Sequence, residues 1–452
     1  MLMNMDQEAV HLLHGDRAIA ATEKVRFFNR AVIGGKGSEL QSADGKQLID
    51  LSATWTAAGL GYADPRIRLA VDQVLDNCPG LGLGSLINPQ SVELAHKLLE
   101  ITDIKAHADG ADNGRVYFGH SGSDANDIAL RLCRMTSVKH GGGTKVLAFE
   151  HSYHGGFGKA LGLSGVQVES GAKRDDNVEF LPYPNTVHPH VDGSAQDELA
   201  YCLHVVRQAM NSNVACLIVE PVLSDGGMIV PPDGFLSGLR SLCDDSGIPM
   251  ICDEVKVGLG RPGTIHAYQY EGIHPDMVTF GKTLGGGLPI SAIVGPSSIL
   301  DCVTGASLLT MGGNPICCAA AIEFLRILID DRLDERADRL GRLSRGHLRE
   351  AIDALPEESR RHITDIRGRG LAIGVELDDG NRSEQFAEKV CYQADRLGAV
   401  VYYVGGHVLE ITPALTIDEH TLYNGLDLVV RAIDDVAAGQ VPDDAVAGFG
   451  GW

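Results

Sequence analysis

Four short, unbroken apolar runs with helix-length spacers between them constrain the fold of this chain more than any other feature. They occupy residues 145–150, 214–222, 249–255 and 277–281 and are predicted to be buried strands. Phe235–Ser246 is typical of the helices expected between them. Strands that are apolar throughout are buried on both faces, and crossovers of this length join parallel neighbours. The middle of the chain therefore predicts an α/β fold built on a mostly parallel sheet.

The C-terminal part has a different pattern. Residues 333–355 and 418–437 predict amphipathic helices, and residues 371–377 and 399–404 predict strands. A chain of 452 residues exceeds what one hydrophobic core usually holds. We therefore expect a large domain at 66–330 and a smaller α+β domain at 331–452, which an N-terminal segment at 1–65 joins.

Polar residues follow each of the apolar runs directly. Glu150 precedes His-Ser-Tyr-His-Gly-Gly, and the other runs lead into residues 220–225, residues 253–256 and Lys282. In an open α/β sheet, ligands bind beyond the carboxyl ends of the strands. Because four strand ends bring polar groups to one edge, the sequence predicts a ligand site there.

Lys282 follows an apolar run and opens Lys-Thr-Leu-Gly-Gly-Gly-Leu-Pro. A lysine at this position either stays solvated at the rim or points into a cleft. The three glycines favour the cleft, because they let the backbone approach a bulky group. Lysine amines form Schiff bases with aldehydes, of which pyridoxal phosphate (PLP) is the commonest. Asp253, at the end of a core strand, is either a structural ion-pair partner or the counter-ion of a pyridine nitrogen.

Two further segments fit a phosphorylated ring. Residues 119–126 (GHSGSDAN) lead into a helical stretch at 125–134, and small residues at a helix start present free N–H groups to a phosphate. A plain Ser/Asp N-cap explains the same pattern. Tyr153 is either a stacking partner for a cofactor ring or a surface aromatic.

Two other motifs are not expected to bind ligands. Residues 258–263 (GLGRPG) match a dinucleotide fingerprint, but a proline interrupts them and no helical pattern follows. His188-Pro189-His190 lies in a proline-rich stretch that predicts a solvated loop rather than a metal site.

The charge balance excludes two classes of partner. The chain has 60 acidic and 38 basic residues, a formal net charge of −22, which repels nucleic-acid phosphates and anionic lipid. Neither nucleic acid nor a membrane is therefore an expected partner. Few of the basic residues are lysines, and an acidic, lysine-poor surface supports a hypothesis of salt adaptation. That hypothesis predicts unchanged stability up to molar salt.

The cysteines and the apolar segments indicate the compartment. The chain has ten cysteines, and those at 216, 243, 252, 317 and 318 lie in apolar segments without any C-x-x-C pair. They are expected to be reduced core residues rather than disulfide or metal ligands. No run approaches the roughly 18 apolar residues of a membrane span, and the start lacks the pattern of a signal peptide. We therefore expect a cytoplasmic protein.

Five motifs in order along the chain together resemble the class III aminotransferase family, whose members have PLP fold type I. These motifs are Ser121-Gly122-Ser123-Asp124-Ala125-Asn126, Tyr153-His154-Gly155, Asp253-Glu254-Val255, Phe280-Gly281-Lys282 and Thr310-Met311-Gly312-Gly313-Asn314-Pro315. They cover most of the chain. The resemblance implies a seven-stranded, mostly parallel sheet and PLP as the cofactor.

The resemblance also implies a role for each motif. Lys282 would form the Schiff base and Asp253 would pair with the pyridine nitrogen. Val255 would lie under the ring and Tyr153 over it. The segment Ser121-Gly122-Ser123 would hold the phosphate. Thr310 would reach the phosphate of a neighbouring subunit, which implies a homodimer with shared active sites.

Two departures from the family pattern narrow the resemblance. Lys256 stands where the family commonly has Gln, and Glu410 stands where many members have a carboxylate-binding Arg. No arginine lies between residues 397 and 430. A carboxylate at that position repels a substrate carboxylate.

Both departures resemble the α-amino-ε-caprolactam and amino acid amide racemases. That resemblance runs nearly end to end. It includes Lys24-Val-Arg-Phe-Phe, Trp55, the segment at 224–235, Val401-Tyr-Tyr-Val-Gly and the closing Gly451-Trp452.

The racemase resemblance implies two bases on opposite faces of a small-molecule substrate. Lys282 would serve one face and Asp225 the other, although Asp225 before two glycines is also a common turn residue. Lys256 would lie near the phenolic oxygen of the cofactor, or else be a rim lysine beside Glu254. Trp55 and Tyr153 would wall the substrate pocket, unless Trp55 is a core residue.

Two other functions share the same cofactor residues. One is an aminotransferase that moves an amine from an ω-amino acid or amine to a keto acid. The other is a PLP-fold binding protein without catalysis.

Overall fold

The computed structural model describes residues 2–77, 80–108, 113–378, 380 and 383–450. The closing Gly451-Trp452 lies outside the described residues. The chain divides into two compact units. One contains the residues up to Asp64 and those from Arg336 onward, and the other is the contiguous stretch Pro65–Glu335.

The described residues contain fifteen strands. They are β1 (Val32–Lys36), β2 (Glu39–Ser42), β3 (Gln47–Asp50), β4 (Gly114–Gly119), β5 (Lys145–Phe149), β6 (Val178–Leu181), β7 (Val214–Val219), β8 (Met250–Asp253), β9 (Met277–Phe280), β10 (Ser291–Pro296), β11 (Ile363–Arg369), β12 (Ala372–Leu377), β13 (Ala399–Val400), β14 (Tyr402–Val404) and β15 (Val408–Ile411).

The same part of the chain contains fifteen α-helices. They are α1 (Leu2–Gly15), α2 (Pro65–Leu75), α3 (Pro89–Ile101), α4 (Lys105–Ala108), α5 (Gly122–Lys139), α6 (Gly158–Leu161), α7 (Gly165–Glu169), α8 (Ala195–Ala209), α9 (Phe235–Ser246), α10 (Ser297–Leu300), α11 (Pro315–Asp330), α12 (Leu333–Asp353), α13 (Glu357–Arg360), α14 (Ser383–Leu397) and α15 (Glu419–Ala437). Short 3₁₀ turns include Ala267–Glu271 and Lys282–Gly285.

The contiguous unit is built on a seven-stranded sheet with the order β4-β10-β9-β8-β7-β5-β6. Strands β5 to β9 run parallel, and β10 runs antiparallel to both of its neighbours. Every residue of β7, β8 and β9 is buried, as expected for strands covered on both faces. The predicted α/β class and mostly parallel seven-stranded sheet are confirmed.

The four predicted strands correspond to β5, β7, β8 and β9, and the predicted helix at Phe235–Ser246 is α9. The observed strands stop before the predicted runs do, because pairing ends where the chain turns out of the sheet at its carboxyl edge. Strands β4, β6 and β10 were not identified from the residues. In the strand order of the whole sheet, β6 lies on one side of β5 and β7 lies on the other. The sheet therefore has a topological switch point at β5. Ligand sites in such sheets lie at this switch.

The other unit contains two four-stranded sheets, β1-β2-β3-β13 and β11-β12-β15-β14. The single strand predicted at 399–404 is therefore wrong. Ala399–Val400 pairs parallel with β3, whereas Tyr402–Val404 pairs antiparallel with β15. One apolar run thus serves two sheets, with Val401 between its two halves. A run that is buried throughout gives no indication of such a division.

The described cysteines agree with the expectation from the sequence. All nine are free, and seven of them are buried. Among the helices in the described ranges, none combines the length and apolarity that a bilayer span requires.

His266 is a fully buried histidine whose titration gives a first prediction. Its ring stacks on Tyr268 at 5.2 Å, and Nε2 lies 3.0 Å from the carbonyl oxygen of Ile101. Burial lowers the pKa of His266 from 6.5 to about 4. The unfolded chain therefore takes up this proton first as the pH falls. The contribution of His266 to stability is complete above pH 6.5, and about 3 kcal/mol of it is lost by pH 4.

We expect His266→Gln to remove this part of the pH dependence. Unfolding midpoints of both proteins, measured from pH 7.5 to 4, should converge as the pH falls. His204→Gln, at an exposed position, should behave like the wild type. Parallel curves for wild type and His266→Gln would contradict the assignment.

Candidate functional site

The ends of β5, β7 and β8 bring polar groups into direct contact. The Tyr153 N–H, after β5, donates to Glu220 after β7 at 2.9 Å. His154 Nδ1 lies 2.8 Å from Asp253, the last residue of β8. The clustering predicted from the strand ends is thus present within the contiguous unit.

Asp253 is 3 % exposed and is well provided with partners. Asn126 Nδ2 donates to its Oδ2 at 2.7 Å, and the Val255 N–H donates to its Oδ1 at 3.1 Å. The Thr279 hydroxyl lies 3.4 Å from Oδ1. The Asn126 amide and the Val255 N–H therefore fix the orientation of this carboxyl at the end of β8.

Asn126 connects more of the site than the sequence indicated. Its amide donates to Asp253 and to the carbonyl oxygen of His154, while its Oδ1 accepts from Thr279. One side chain thus ties α5 to the ends of β8 and β9 and to the loop after β5. The sequence showed Asn126 only as the end of a motif, because its partners are distant along the chain.

The start of α5 combines both interpretations of residues 119–126. Ser121 and Asp124 form a capping box, and Asp124 also accepts from Ser291. The helix therefore begins at Gly122, three residues before the predicted stretch, and the plain N-cap is present. First-turn N–H groups have no acceptor within a helix, so Gly122 and Ser123 still present theirs to an anion. The Ser123 hydroxyl accepts from the Gly156 N–H at 3.1 Å.

Gly122 lies against the side chain of Val255. A Cβ on Gly122 would stand 2.9 Å from Val255 Cγ2 and closer still to Cγ1. A Cβ on Gly281 would stand 3.1 Å from the Gly122 nitrogen. The helix start, Val255 and the residue before Lys282 therefore form one close-packed cradle that needs two glycines.

We expect Gly122→Ala to disturb this cradle. The added methyl must push α5 or Val255 away, which costs about 1–3 kcal/mol. A shift of the helix start should weaken binding of the predicted PLP about tenfold, measured by fluorescence titration. Gly346→Ala is the matched control, because that helical glycine has open space around it. Unchanged PLP affinity in Gly122→Ala would contradict a phosphate seat at α5.

Lys282 opens the 3₁₀ turn after β9 in a left-handed conformation, with φ 44°. Non-glycine residues adopt this region rarely, and such strain is concentrated at functional sites. Its side chain is half-buried.

Lys256 and Asp225 form a buried ion pair. Nζ of Lys256 donates to Oδ1 of Asp225 at 2.8 Å, and the two side chains are 4 % and 3 % exposed. The alternative that Lys256 is a rim lysine is therefore wrong. Asp225 does lie in a tight turn, in which the Gly227 and Met228 N–H groups donate to the Ser224 carbonyl. It is a turn residue and a buried charge at once.

Tyr153 faces this pair. Burial raises the pKa of the Tyr153 phenol to about 12, and the Asp225 carboxylate adds to the shift while Lys256 opposes it. Tyr153 is half-buried rather than a surface aromatic. The three side chains thus belong to one electrostatic neighbourhood.

The remaining predicted residues are described within their own units. Thr310 is exposed, after α10. In the other unit, Trp55 is half-buried and packs against Tyr402, with ring centroids 4.8 Å apart and planes tilted by 31°. Glu410 is buried in β15 and accepts from Thr412 at 3.1 Å. Trp55 lies in a run of four consecutive non-glycine residues with positive φ, residues 53–56.

The two motifs set aside from the sequence also have defined structures. No helix opens at residues 258–263, and the next helical turn is Ala267–Glu271. His190 lies in an exposed loop, with Nδ1 2.6 Å from the buried Glu198. Possible ligand atoms of His190, Glu198 and Cys202 lie within 4.8 Å of one another.

Comparison with known proteins identifies relatives along nearly the whole chain. The family model described as aminotransferase class-III matches residues 19–433. The alanine/serine racemase of Pyrococcus horikoshii is 32 % identical, over 96 % of this chain and 92 % of its own. The leucine/methionine racemase of Thermococcus litoralis is 30 % identical, over 96 % and 98 %.

Aminotransferases are about as similar. The acetylornithine aminotransferase of Mycobacterium tuberculosis is 34 % identical, over 90 % of this chain and 92 % of its own. Among solved structures, the ornithine aminotransferase of Toxoplasma gondii aligns with a TM-score of 0.81 at 25 % identity, covering 96 % of both chains. The structural likeness confirms the predicted PLP fold type I.

Proposed function

Because the chain belongs to the class III aminotransferase family and uses pyridoxal 5'-phosphate, we propose that it is a racemase of small α-amino compounds. Its substrates would be α-amino-ε-caprolactam or amino acid amides. The observation that supports this proposal most is the buried pair of Asp225 and Lys256 beside Tyr153.

The residues present suit PLP. The Asp253 carboxyl would pair with the pyridine nitrogen, and Val255 and Tyr153 would contact the ring. The α5 start at Ser121-Gly122-Ser123 fits the phosphate, because the first-turn N–H groups of a helix have no acceptor within the helix. We propose that Lys282 holds the aldehyde carbon through its amine.

The proposed chemistry needs two proton-carrying groups. When bound, PLP makes the hydrogen on the amine-bearing carbon acidic by withdrawing electrons. Nζ of Lys282 would remove or return that proton on one face. The Asp225 carboxyl would do so on the opposite face, and inversion results when the proton leaves to one group and returns from the other.

Lys256 suits this scheme better than the Gln common in the family. A glutamine amide carries no transferable proton, whereas an ammonium group hydrogen-bonded to Asp225 can replace a proton that Asp225 gives up. The pair would thus be neutral before it gives a proton to the substrate, would carry one negative charge afterwards, and would become neutral again when Asp225 takes a proton back. We further propose that Lys256 tunes the phenolic oxygen of the cofactor.

The proposed substrate class rests on the replacement at Glu410. Glu410 replaces a carboxylate-binding arginine, which disfavours free amino acids bound in the usual way. The relatives in Pyrococcus and Thermococcus are nevertheless named for free amino acids. We propose lactams and amides as the preferred class.

The decisive experiment omits the keto acid. Purified protein is incubated with one enantiomer of α-amino-ε-caprolactam, an amino acid amide or a free amino acid, and the products are separated by chiral chromatography. A racemase yields the opposite enantiomer without any acceptor. A strict requirement for a keto acid, with accumulation of pyridoxamine phosphate, would instead establish the aminotransferase.

The aminotransferase remains the second candidate, because the acetylornithine aminotransferases are 34 % identical to this chain. It shares Lys282, Asp253 and the phosphate seat with the racemase. It gives no role to a second base at Asp225.

The proposed assembly is a cytoplasmic homodimer with shared active sites. Thr310, which is exposed in the single chain, would reach the phosphate bound by the partner. Sedimentation of the purified protein tests the dimer directly.

A further inference from the structure

We propose that Glu220 is a positioning residue that holds Asp225 and Tyr153 in working geometry by binding the backbone of both loops. This inference rests on the proposed two-base racemisation, because Asp225 matters only if it carries a proton. Glu220 was part of a predicted strand end, but the sequence assigned it no role.

The two oxygens of Glu220 bind different loops. Oε1 accepts from the Tyr153 N–H at 2.9 Å, in the loop after β5. Oε2 accepts from the Ser224 hydroxyl at 2.7 Å and from the Ser224 N–H at 3.2 Å, in the loop after β7. Glu220 itself is 3 % exposed. The Glu220 carboxylate thus links Tyr153, in the loop after β5, to Ser224, the residue before Asp225. This link crosses the switch point of the sheet.

The turn that carries Asp225 is rigid within itself. Leu223 and Ile229 exchange two backbone hydrogen bonds at its base, at 2.8 and 2.9 Å. On its outer side, a Cβ at Gly226 would stand 2.5 Å from the His151 carbonyl oxygen. The turn is therefore well defined, and its side-chain contacts with the rest of the site include the anchor of Ser224 to Glu220 and the contact of Asp225 with Lys256.

The chemistry of a carboxylate is needed for this anchor. Glu220 accepts three hydrogen bonds and donates none, so an isosteric amide must turn one N–H₂ toward a donor. A displacement near 1 Å at a proton-transfer group can lower a rate on the order of 100-fold. Glu220→Gln therefore preserves volume while loosening Asp225.

The charge state of Glu220 also gives the site a pH dependence. Burial raises the pKa of Glu220 to about 7, the charges of Asp253 and Asp225 add to the shift, and His154 opposes it. The hydrogen bond from the Tyr153 N–H also lowers the pKa of Glu220. Protonation as the pH falls through about 7 removes one acceptor, so the anchor weakens on the acidic side.

Glu254 provides a matched control. It is 1 % exposed, lies one residue after the end of β8, and accepts from the Ala267 and Tyr268 N–H groups at 3.0 and 3.1 Å. Burial raises the pKa of Glu254 to about 7 as well. Its partners, however, belong to a 3₁₀ turn and not to the loops of the site. Glu254→Gln thus reproduces the loss of a buried carboxylate without touching Asp225.

The experiment compares three holoenzyme variants: Glu220→Gln, Glu254→Gln and Ser224→Ala. Racemisation is measured together with exchange of the α-hydrogen for deuterium from each enantiomer separately. We expect Glu220→Gln to lower racemisation 10- to 100-fold, through kcat rather than KM. Exchange from the enantiomer that Lys282 serves should change less than about threefold. Ser224→Ala should show a smaller loss of racemisation, again with little change in exchange from the enantiomer that Lys282 serves. This variant also tests the proposal if Glu220→Gln fails to fold.

Two readouts separate positioning from a general loss of structure. Amide hydrogen exchange at Tyr153 and Ser224 should accelerate in Glu220→Gln and not in Glu254→Gln. The inflection near pH 7 in the wild-type racemisation rate should disappear in Glu220→Gln and persist in Glu254→Gln.

The outcomes distinguish this inference from the proposed function. If Asp225→Asn racemises at the wild-type rate, the two-base scheme fails whatever Glu220 does. If Asp225→Asn loses racemisation but Glu220→Gln keeps it, Glu220 is not a positioning residue. Equal losses for both enantiomers in Glu220→Gln and Glu254→Gln would also overturn the inference, because they indicate general destabilisation.

Discussion

Replacing Lys282 with alanine is expected to abolish covalent attachment of PLP and to lower turnover about 10⁴-fold. The variant loses the amine that holds the cofactor and, in the proposed scheme, the base on one face of the substrate. Borohydride reduction followed by peptide mass analysis should find the phosphopyridoxyl group on the Lys282 peptide of the wild type only. The visible absorption band of the bound cofactor should shift or disappear.

Lys145→Ala is the matched control for this variant. Lys145 opens β5 at the amino edge of the same sheet, and its Nζ lies 2.7 Å from Glu179. This variant should keep the reducible cofactor and the wild-type rate. Borohydride labelling of another lysine, in a Lys282→Ala protein that remains active, would refute the assignment.

Replacing Asp225 with asparagine is expected to abolish racemisation while PLP stays bound. Asparagine has the shape of aspartate but cannot deliver a proton, so only the face served by Lys282 remains active. We expect a loss of 10²- to 10⁴-fold in racemisation. In D₂O, one enantiomer should still exchange its α-hydrogen and retain its configuration. Chiral chromatography combined with mass spectrometry measures both quantities.

Loss of an ion pair must be separated from loss of a base in this variant. Asp225→Asn leaves the Lys256 charge buried without its carboxylate, which costs about 3–5 kcal/mol. Asp175→Asn is a suitable control, because Asp175 is a buried partner of Arg134 at 2.8 Å in the same unit. That variant should lose stability and keep racemisation. Adding Lys256→Met to Asp225→Asn should restore stability without restoring racemisation.

The sequence predicted the chemistry of the strand ends better than their contacts. Lys282 and Asp253 could be selected as candidates because each ends an apolar run, and the three glycines after Lys282 favoured a cleft over the rim. Whether Lys256 is buried or lies at the rim could not be decided in this way. Its burial depends on Asp225, 31 positions earlier in the chain. Glu220 and Asn126 were overlooked as connecting residues for the same reason.

The fold was predictable at four apolar strands, whereas β10 was not identified although it is buried almost throughout. Strands β5, β7, β8 and β9 are buried on both faces, so their sequences are continuous apolar runs. Strand β4 was not identified, because several of its residues are only partly buried. The division at Val401 is invisible in sequence, since β13, Val401 and β14 together form one apolar stretch whose halves differ only in their partners.

The pairing of β3 with β13 has a consequence for how the chain is made. Ile49 pairs with Ala399, 350 positions later (399 − 49), whereas the unit Pro65–Glu335 is contiguous. At 5–20 residues per second, the ribosome needs roughly 20–70 s to deliver the partner of β3. The contiguous unit can fold during that interval, while the outer edge of β3 waits unpaired. A chain that stalls before Ala399 therefore releases an open strand edge, a site for aggregation. Translation speed between Ile49 and Ala399 thus becomes a determinant of yield.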